Sequence, residues 1–138
     1  AIPEAAILGG GMLSLLMVAF HSRFYALFGW RREFEKILPL NAKILYTIPL
    51  ALLLLFLCFA FLSLVYRSEL ARGEGLAAGV TVSYSLFWFW RTIWQLVYFR
   101  PPRSVPRTRK PILHYGLAVL FATLSVLYLV PFAAARLR

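Results

Sequence analysis

Long apolar runs separated by short polar segments dominate the chain. Each run is about as long as the roughly 20 apolar residues that a helix needs to cross a bilayer core of about 30 Å. The second run contains LALLLLFLCFAFLSLV, which lacks the alternation of a barrel strand. The pattern therefore predicts an all-α integral membrane protein, with residues 1–138 forming a single antiparallel bundle of four transmembrane helices near 4–23, 44–65, 76–98 and 111–133.

Composition agrees with this prediction. The chain has 138 residues, of which 62% are hydrophobic and 17% aromatic, whereas soluble domains are about 45–50% apolar. The connecting segments are too short to hold a separate soluble domain. No basic segment precedes the first apolar run after Ala1, so we interpret that run as a span rather than a signal peptide.

The distribution of basic residues predicts the orientation. Segment 23–43 and segment 100–110 carry five basic residues each, whereas the loop between the second and third spans and the C-terminal tail carry two each. By the positive-inside rule, loops 24–43 and 99–110 are then cytoplasmic and both termini face outward. The predicted location is a bacterial inner membrane.

The net charge of +10 is also interpreted as a property of a membrane protein. In a membrane protein, basic loops set the topology and meet the anionic lipids of the cytoplasmic leaflet, so no nucleic-acid partner is expected. The stretch RPPRSVPRTRK at 100–110 contains three prolines and is predicted to be an extended loop.

Small residues recur at four-residue spacing on two of the predicted spans. Such tracks allow helix backbones to approach closely in a membrane. The two tracks could pack against each other, or each could receive a neighbouring subunit. Their members are Ala6, Gly10 and Ser14 on the first span, and Gly75, Gly79 and Ser83 on the third.

Two prolines lie within the predicted spans. Pro49 should kink the second span, with the Thr47 hydroxyl reducing the cost of the lost hydrogen bond. Pro131 should mark the end of the fourth span.

Polar residues gather at similar depth in all four predicted spans, near the cytoplasmic ends. This inner polar layer contains His21, Tyr46, Thr47, Arg91, Gln95, His114 and Tyr115. Arg91 is its only formal charge, and an ionisable residue at membrane depth is a candidate functional residue. It could reach the interface by snorkelling between Trp88 and Trp94, or it could hold a specific partner or anion.

The two histidines raise a cofactor hypothesis. Neutral imidazole is a common heme ligand, so His21 and His114 on facing helices could ligate a heme b, or one of them could contribute to a quinone pocket. The candidate cofactor-binding set is His21, His114, Arg91, Gln95 and Tyr46, with the two histidines as candidate metal ligands.

The sequence contains no nucleophile elbow, HExxH motif, phosphate loop or pair of intramembrane carboxylates. These observations favour a non-catalytic accessory subunit of a larger membrane complex, of the respiratory or photosynthetic type. Two alternatives remain open: a small heme- or quinone-binding electron-transfer protein, and a small anion channel or lipid-handling protein built around Arg91.

Overall fold

The computed structural model describes residues 2–23, 29–98 and 110–137, with side chains except at 110–113. These ranges contain helices and no strand, which confirms the predicted all-helical class. The helices are α1 (Ile2–Ser22), α2 (Trp30–Phe34), α3 (Pro39–Val65), α4 (Arg67–Ala71), α5 (Gly75–Val97) and α6 (Lys110–Arg136).

Within the described residues, three helices are long and apolar enough to cross a membrane. They are α1, α3 and the His114–Arg136 part of α6. α5 has 23 residues, which is sufficient length, but its serines, Arg91 and Gln95 lower its hydropathy. The fourth span and the orientation of the termini therefore stay predictions.

The helix boundaries differ from the predicted spans mainly at the loops. α3 begins at Pro39 rather than near residue 44, because proline is well suited to the first position of a helix. The short helices α2 and α4 occupy segments predicted as loops. The basic stretch 100–109 lies outside the described residues, as do 24–28.

The prolines do not interrupt the helices that contain them. α6 continues past Pro131 to Arg136, so the predicted end of the span at Pro131 is wrong; three alanines follow, and alanine is the strongest helix former. α3 continues past Pro49. The Thr47 hydroxyl donates to the carbonyl of Lys43 at 2.7 Å, one turn before the proline.

The chain divides into two compact units. The first contains the chain up to Gly10 and from Tyr66 onward. In it, α5 and α6 pack along their length, and α4 packs against both. The start of α1 is joined to α4 by Glu4, whose carboxylate lies 3.4 Å from the Arg67 guanidinium and accepts a hydrogen bond from Ser68.

The second unit runs from Gly11 to Val65. Its α3 buries Phe56, Ala60 and Ser63, which lie on one helix face. The Cβ of any residue replacing Gly11 would lie 3.0 Å from Ser63, so glycine is suited to this close contact.

A tight turn joins α4 to α5. Gly73 has a φ of +68°, a conformation that side chains with a Cβ adopt at a cost. A Cβ at this position would also collide with the backbone carbonyl of Pro131. The turn is thereby held against the distal part of α6.

Candidate functional site

The contact between α5 and α6 buries polar residues. We call it the seam, and its buried members are Thr81, Tyr84, Ser85, Trp88 and Gln95 on α5 with His114, Ala118, Phe121, Leu124, Ser125 and Tyr128 on α6. The α5 members recur at three- and four-residue steps and so lie on one helix face. Residues late in α5 contact residues early in α6, so the two helices are antiparallel.

Ser85 and Ser125 form a reciprocal pair at the centre of the seam. The Ser85 hydroxyl donates to the carbonyl of Ser125 at 2.6 Å, and the Ser125 hydroxyl donates to the carbonyl of Ser85 at 3.0 Å. Both residues are buried. Small side chains of this kind allow the two backbones to approach, and interhelical hydrogen bonds stabilise helix pairs in lipid.

Aromatic rings fill the seam on either side of the serines. Tyr84 meets Tyr128 edge to face, with ring centroids 4.5 Å apart, and Trp88 stacks on Phe121 at 5.3 Å. Such arrangements contribute about 0.5–1.5 kcal/mol beyond the buried area.

Arg91 lies over the same Phe121 ring. Its guanidinium carbon is 4.8 Å from the ring centroid, within the range of a cation–π contact, and its Nη1 atom is buried. The sequence suggested the neighbouring indoles of α5 as the shield for this cation. The structure adds an aromatic ring from α6, a non-local contact that helical spacing within α5 does not reveal.

Gln95 and His114 form the polar end of the seam and are 5% and 6% exposed. The Gln95 amide nitrogen lies 3.1 Å from His114 Nδ1 and 3.4 Å from the His114 carbonyl. Because an amide NH₂ group only donates, Nδ1 accepts and the imidazole proton sits on Nε2.

His21 belongs to the second unit and has different surroundings. Its Nδ1 lies 2.9 Å from the carbonyl of Met17, and its ring meets Phe56 edge to face at 4.8 Å. A carbonyl only accepts, so Nδ1 carries the proton and Nε2 is the accepting nitrogen. Together with Tyr46, His21 lines a cleft of about 120 Å³.

The structure thus places the residues of the predicted inner polar layer in two local groups, one in each unit. Arg91, Gln95 and His114 lie along the seam of the first unit, and His21 and Tyr46 line the cleft of the second. Tyr115 is exposed beside the seam. Thr47 is bonded within its own helix.

The two small-residue tracks have different surroundings. A Cβ at Gly10 would lie 2.7 Å from the Tyr128 ring, so the first track contains a close contact with α6. Ala6 and Ser14 are also buried. On the other track, a Cβ at Gly75 or Gly79 would meet nothing within 4 Å, and Ser83 is exposed.

The exposed side of α5 carries an aromatic ladder that sequence reasoning did not single out. Trp90 stacks on Trp94 with centroids 5.6 Å apart, and Trp94 stacks on Tyr98 at 4.6 Å. These rings are 49%, 39% and 66% exposed. In the sequence, the four-residue spacing of these aromatic residues was the signal that could have indicated the ladder. We define the outer face of α5 by Gly79, Ser83, Leu86, Trp90 and Trp94, which share one side of the helix.

In the described ranges, no group of three or more histidine, cysteine or acidic residues could hold a metal ion. The sequence matches no protein-family model, and comparison with curated proteins and with solved structures found no significant match.

Proposed function

We propose that this protein is a non-catalytic accessory subunit of a larger membrane complex, of the respiratory or photosynthetic type, with α5 as a fourth transmembrane helix. The observation that carries the proposal is the inverted polarity of α5. Its buried residues include Thr81, Ser85 and Gln95, whereas its exposed ones include Leu86, Phe89 and Trp90. A helix in water would place these groups the other way round, whereas lipid requires buried polar groups and an apolar exterior.

The outer face of α5 provides a surface suited to another helix. At Gly79 and Ser83 it is small and open, so a partner backbone can approach closely. At Trp90 and Trp94 it presents broad stacked rings, and aromatic residues are enriched at protein interfaces. A transmembrane helix of another subunit is the partner that fits both halves.

The experiment is gentle detergent extraction of the full chain from its source membrane, followed by native mass measurement. We expect a complex with at least one further membrane chain. In Gly79→Leu, a larger side chain projects from the outer face and the partner should be lost. The matched control is Gly116→Leu on α6, because Gly116 is also exposed with nothing near its Cβ position.

Two outcomes would contradict this proposal. One is a wild-type chain that is strictly monomeric, with no co-purifying chain. The other is equal retention of the partner in Gly79→Leu and Gly116→Leu, which would place the interface elsewhere than the outer face of α5.

The electron-transfer alternative stays a prediction. His21 is oriented by the Met17 carbonyl so that Nε2 could act as a ligand, and its cleft could take a quinone ring. The Gln95 contact of His114 favours the tautomer with a protonated Nε2. Oxidised and reduced absorption spectra of the purified protein test this alternative, which requires a Soret band or extractable quinone that His21→Ala or His114→Ala abolishes.

The anion-channel or lipid-handling alternative around Arg91 also stays a prediction. The contact between Arg91 and Phe121 gives the cation a place in helix packing. Anion flux through reconstituted protein, compared with flux through Arg91→Leu, distinguishes transport from packing.

A further inference from the structure

A cleft opens in the second unit where the end of α1, the start of α2 and the first half of α3 come together. Its volume is about 120 Å³, and it is lined by His21, Ser22, Trp30, Tyr46, Pro49, Leu50 and Leu53. We call it the His21 cleft. Sites for whole drug-sized ligands measure about 300–1,000 Å³, so this cleft suits a headgroup or a single ring rather than a macrocycle.

One part of the lining is polar and contains both kinds of hydrogen-bonding group. His21 Nδ1 donates to the Met17 carbonyl, which makes Nε2 an acceptor. The Ser22 hydroxyl donates to the Ala19 carbonyl at 2.6 Å, so its oxygen can accept. The Tyr46 hydroxyl and the Trp30 indole N–H are groups that donate.

The other part of the lining is an apolar wall. Pro49, Leu50 and Leu53 follow Tyr46 at steps of three and four residues along α3 and therefore lie below it on one helix face. The cleft thus passes from polar groups to a hydrocarbon surface within about two helical turns. This order, polar groups followed by a hydrocarbon surface, matches a lipid whose headgroup continues into an acyl chain.

The surrounding charge is positive. None of the described residues that line the cleft is acidic. Arg31 and Arg32 directly follow Trp30; the nearby acids Glu33 and Glu35 are paired with Lys36 at 3.4 Å and with Arg31 at 4.0 Å. Residues 29–43 contain four basic and two acidic residues. This excess of positive charge favours an anionic ligand.

We infer that the His21 cleft binds an anionic phospholipid whose headgroup carries a free hydroxyl. Trp30 and Tyr46 donate to the phosphate oxygens, and His21 Nε2 and Ser22 Oγ accept from the headgroup hydroxyl. Pro49, Leu50 and Leu53 contact the start of the acyl chain. Trp30 is held for this role by a tilted ring contact with Phe34, with centroids 5.7 Å apart. This inference concerns the second unit and does not depend on the outer face of α5.

The test is lipid titration of the purified full chain followed by native mass spectrometry. The probes are phosphatidylglycerol, phosphatidic acid and phosphatidylcholine of matched acyl chains, with glycerol 3-phosphate as the free headgroup. We expect phosphatidylglycerol to bind about tenfold more tightly than phosphatidylcholine. Phosphatidic acid, which lacks the headgroup hydroxyl, should fall between them, and glycerol 3-phosphate should not compete because it lacks the acyl chain.

Two variant pairs locate the bound lipid. Leu53→Trp fills the cleft and should abolish the preference, whereas Leu54→Trp, at the adjacent exposed position that does not line it, should retain it. Tyr46→Phe removes one donor and should weaken phosphatidylglycerol binding, whereas Tyr98→Phe at the exposed residue that follows α5 should leave it unchanged.

Four results would overturn the inference. They are equal binding of the three lipids, a preference that survives Leu53→Trp, competition by glycerol 3-phosphate that displaces the lipid, and purified protein whose cleft retains a quinone instead of a phospholipid. If the lipid preference is absent but the native mass still includes a partner chain, the accessory-subunit proposal stands, because the two experiments report on different surfaces.

Discussion

Ser85 and Ser125 each donate a hydroxyl hydrogen to the other's backbone carbonyl, at 2.6 and 3.0 Å. The pair joins two helices whose side chains are otherwise mostly apolar. Each serine therefore serves both as a small spacer and as a polar contact, and the effect of removing one depends on whether the other is present.

Removal of the serine pair should give non-additive losses of stability. Ser85→Ala and Ser125→Ala should each lower the free energy of unfolding by about 0.6 kcal/mol and by no more than about 1.7 kcal/mol. The double variant should lose less than the sum, because either single variant already removes the contact between the two hydroxyl oxygens, which lie 3.3 Å apart. Denaturant unfolding in mixed micelles measures these changes.

The control for the serine pair is Thr123→Ala. The Thr123 hydroxyl is exposed and donates only to Val119 of its own helix among the contacts the structure gives. An equal loss in this control, or strict additivity of the two serine variants, would contradict the interhelical pairing.

Gly10→Ala should destabilise the first unit. The added Cβ would lie 2.7 Å from the Tyr128 ring, and overpacking of this kind costs about 1–3 kcal/mol. Gly79→Ala should leave the stability unchanged or raise it by up to about 1 kcal/mol, because alanine is the better helix former and the site is open. Thermal unfolding of the two variants side by side decides whether the close contact exists.

Gly73→Ala should cost more than Gly29→Ala, although both glycines have positive φ, at +68° and +63°. The unfavourable backbone conformation costs roughly 1–2 kcal/mol at either site. Only at Gly73 would the Cβ also meet the Pro131 carbonyl, whereas at Gly29 it would meet nothing within 4 Å. Comparable unfolding midpoints for the two variants would show that the turn does not pack against α6.

Gln95→Leu should destabilise the seam, because buried His114 then loses a donor at Nδ1. A buried polar group without its partner costs about 1–3 kcal/mol. The double variant Gln95→Leu with His114→Leu should recover part of that loss, since no polar group remains unmatched. Thr92→Val, which affects a hydroxyl bonded to Trp88 of the same helix, is the control in the same unfolding assay.

The predicted orientation can be checked by labelling single cysteines with a membrane-impermeant maleimide. The chain contains one cysteine, Cys58, which is replaced by serine so that only the introduced cysteine reacts. In this background, Glu69→Cys should react on intact cells, whereas Glu35→Cys should react only after permeabilisation. Both positions are exposed, and both substitutions keep every basic residue that sets the topology. Reaction of Glu35→Cys on intact cells would reverse the assignment.

The helical class and the positions of α1, α3 and α6 could be predicted from the sequence because long apolar runs determine them. The membership of the seam was only partly predictable. Arg91, Gln95 and His114 were selected by depth, whereas Ser85 and Ser125 resemble any other small polar residues. Their pairing joins positions 40 residues apart in the chain, which helical periodicity cannot detect.

The helices that are apolar all round illustrate the same limit. In α3, leucine and phenylalanine occur on every side, so no stripe indicates that Phe56, Ala60 and Ser63 are the buried positions. The aromatic ladder of α5 was visible as a spacing, but only burial shows that Trp88 faces the seam while Trp90 and Trp94 face outward. Short helices such as α4, at five residues, leave no periodic signal.

The inverted polarity of α5 has a consequence for how the protein is made. Arg91 alone opposes entry of a helix into lipid by roughly 2.5–3.5 kcal/mol at the bilayer centre, and Ser85 and Gln95 have their seam partners on α6. Because α6 follows α5 in the chain, those partners leave the ribosome only after α5 has emerged. In the proposed four-helix topology, α5 therefore stays at the translocon until α6 arrives. The two helices then enter the membrane together as a helical hairpin. A nascent chain that stops at Val97 should remain extractable at that step.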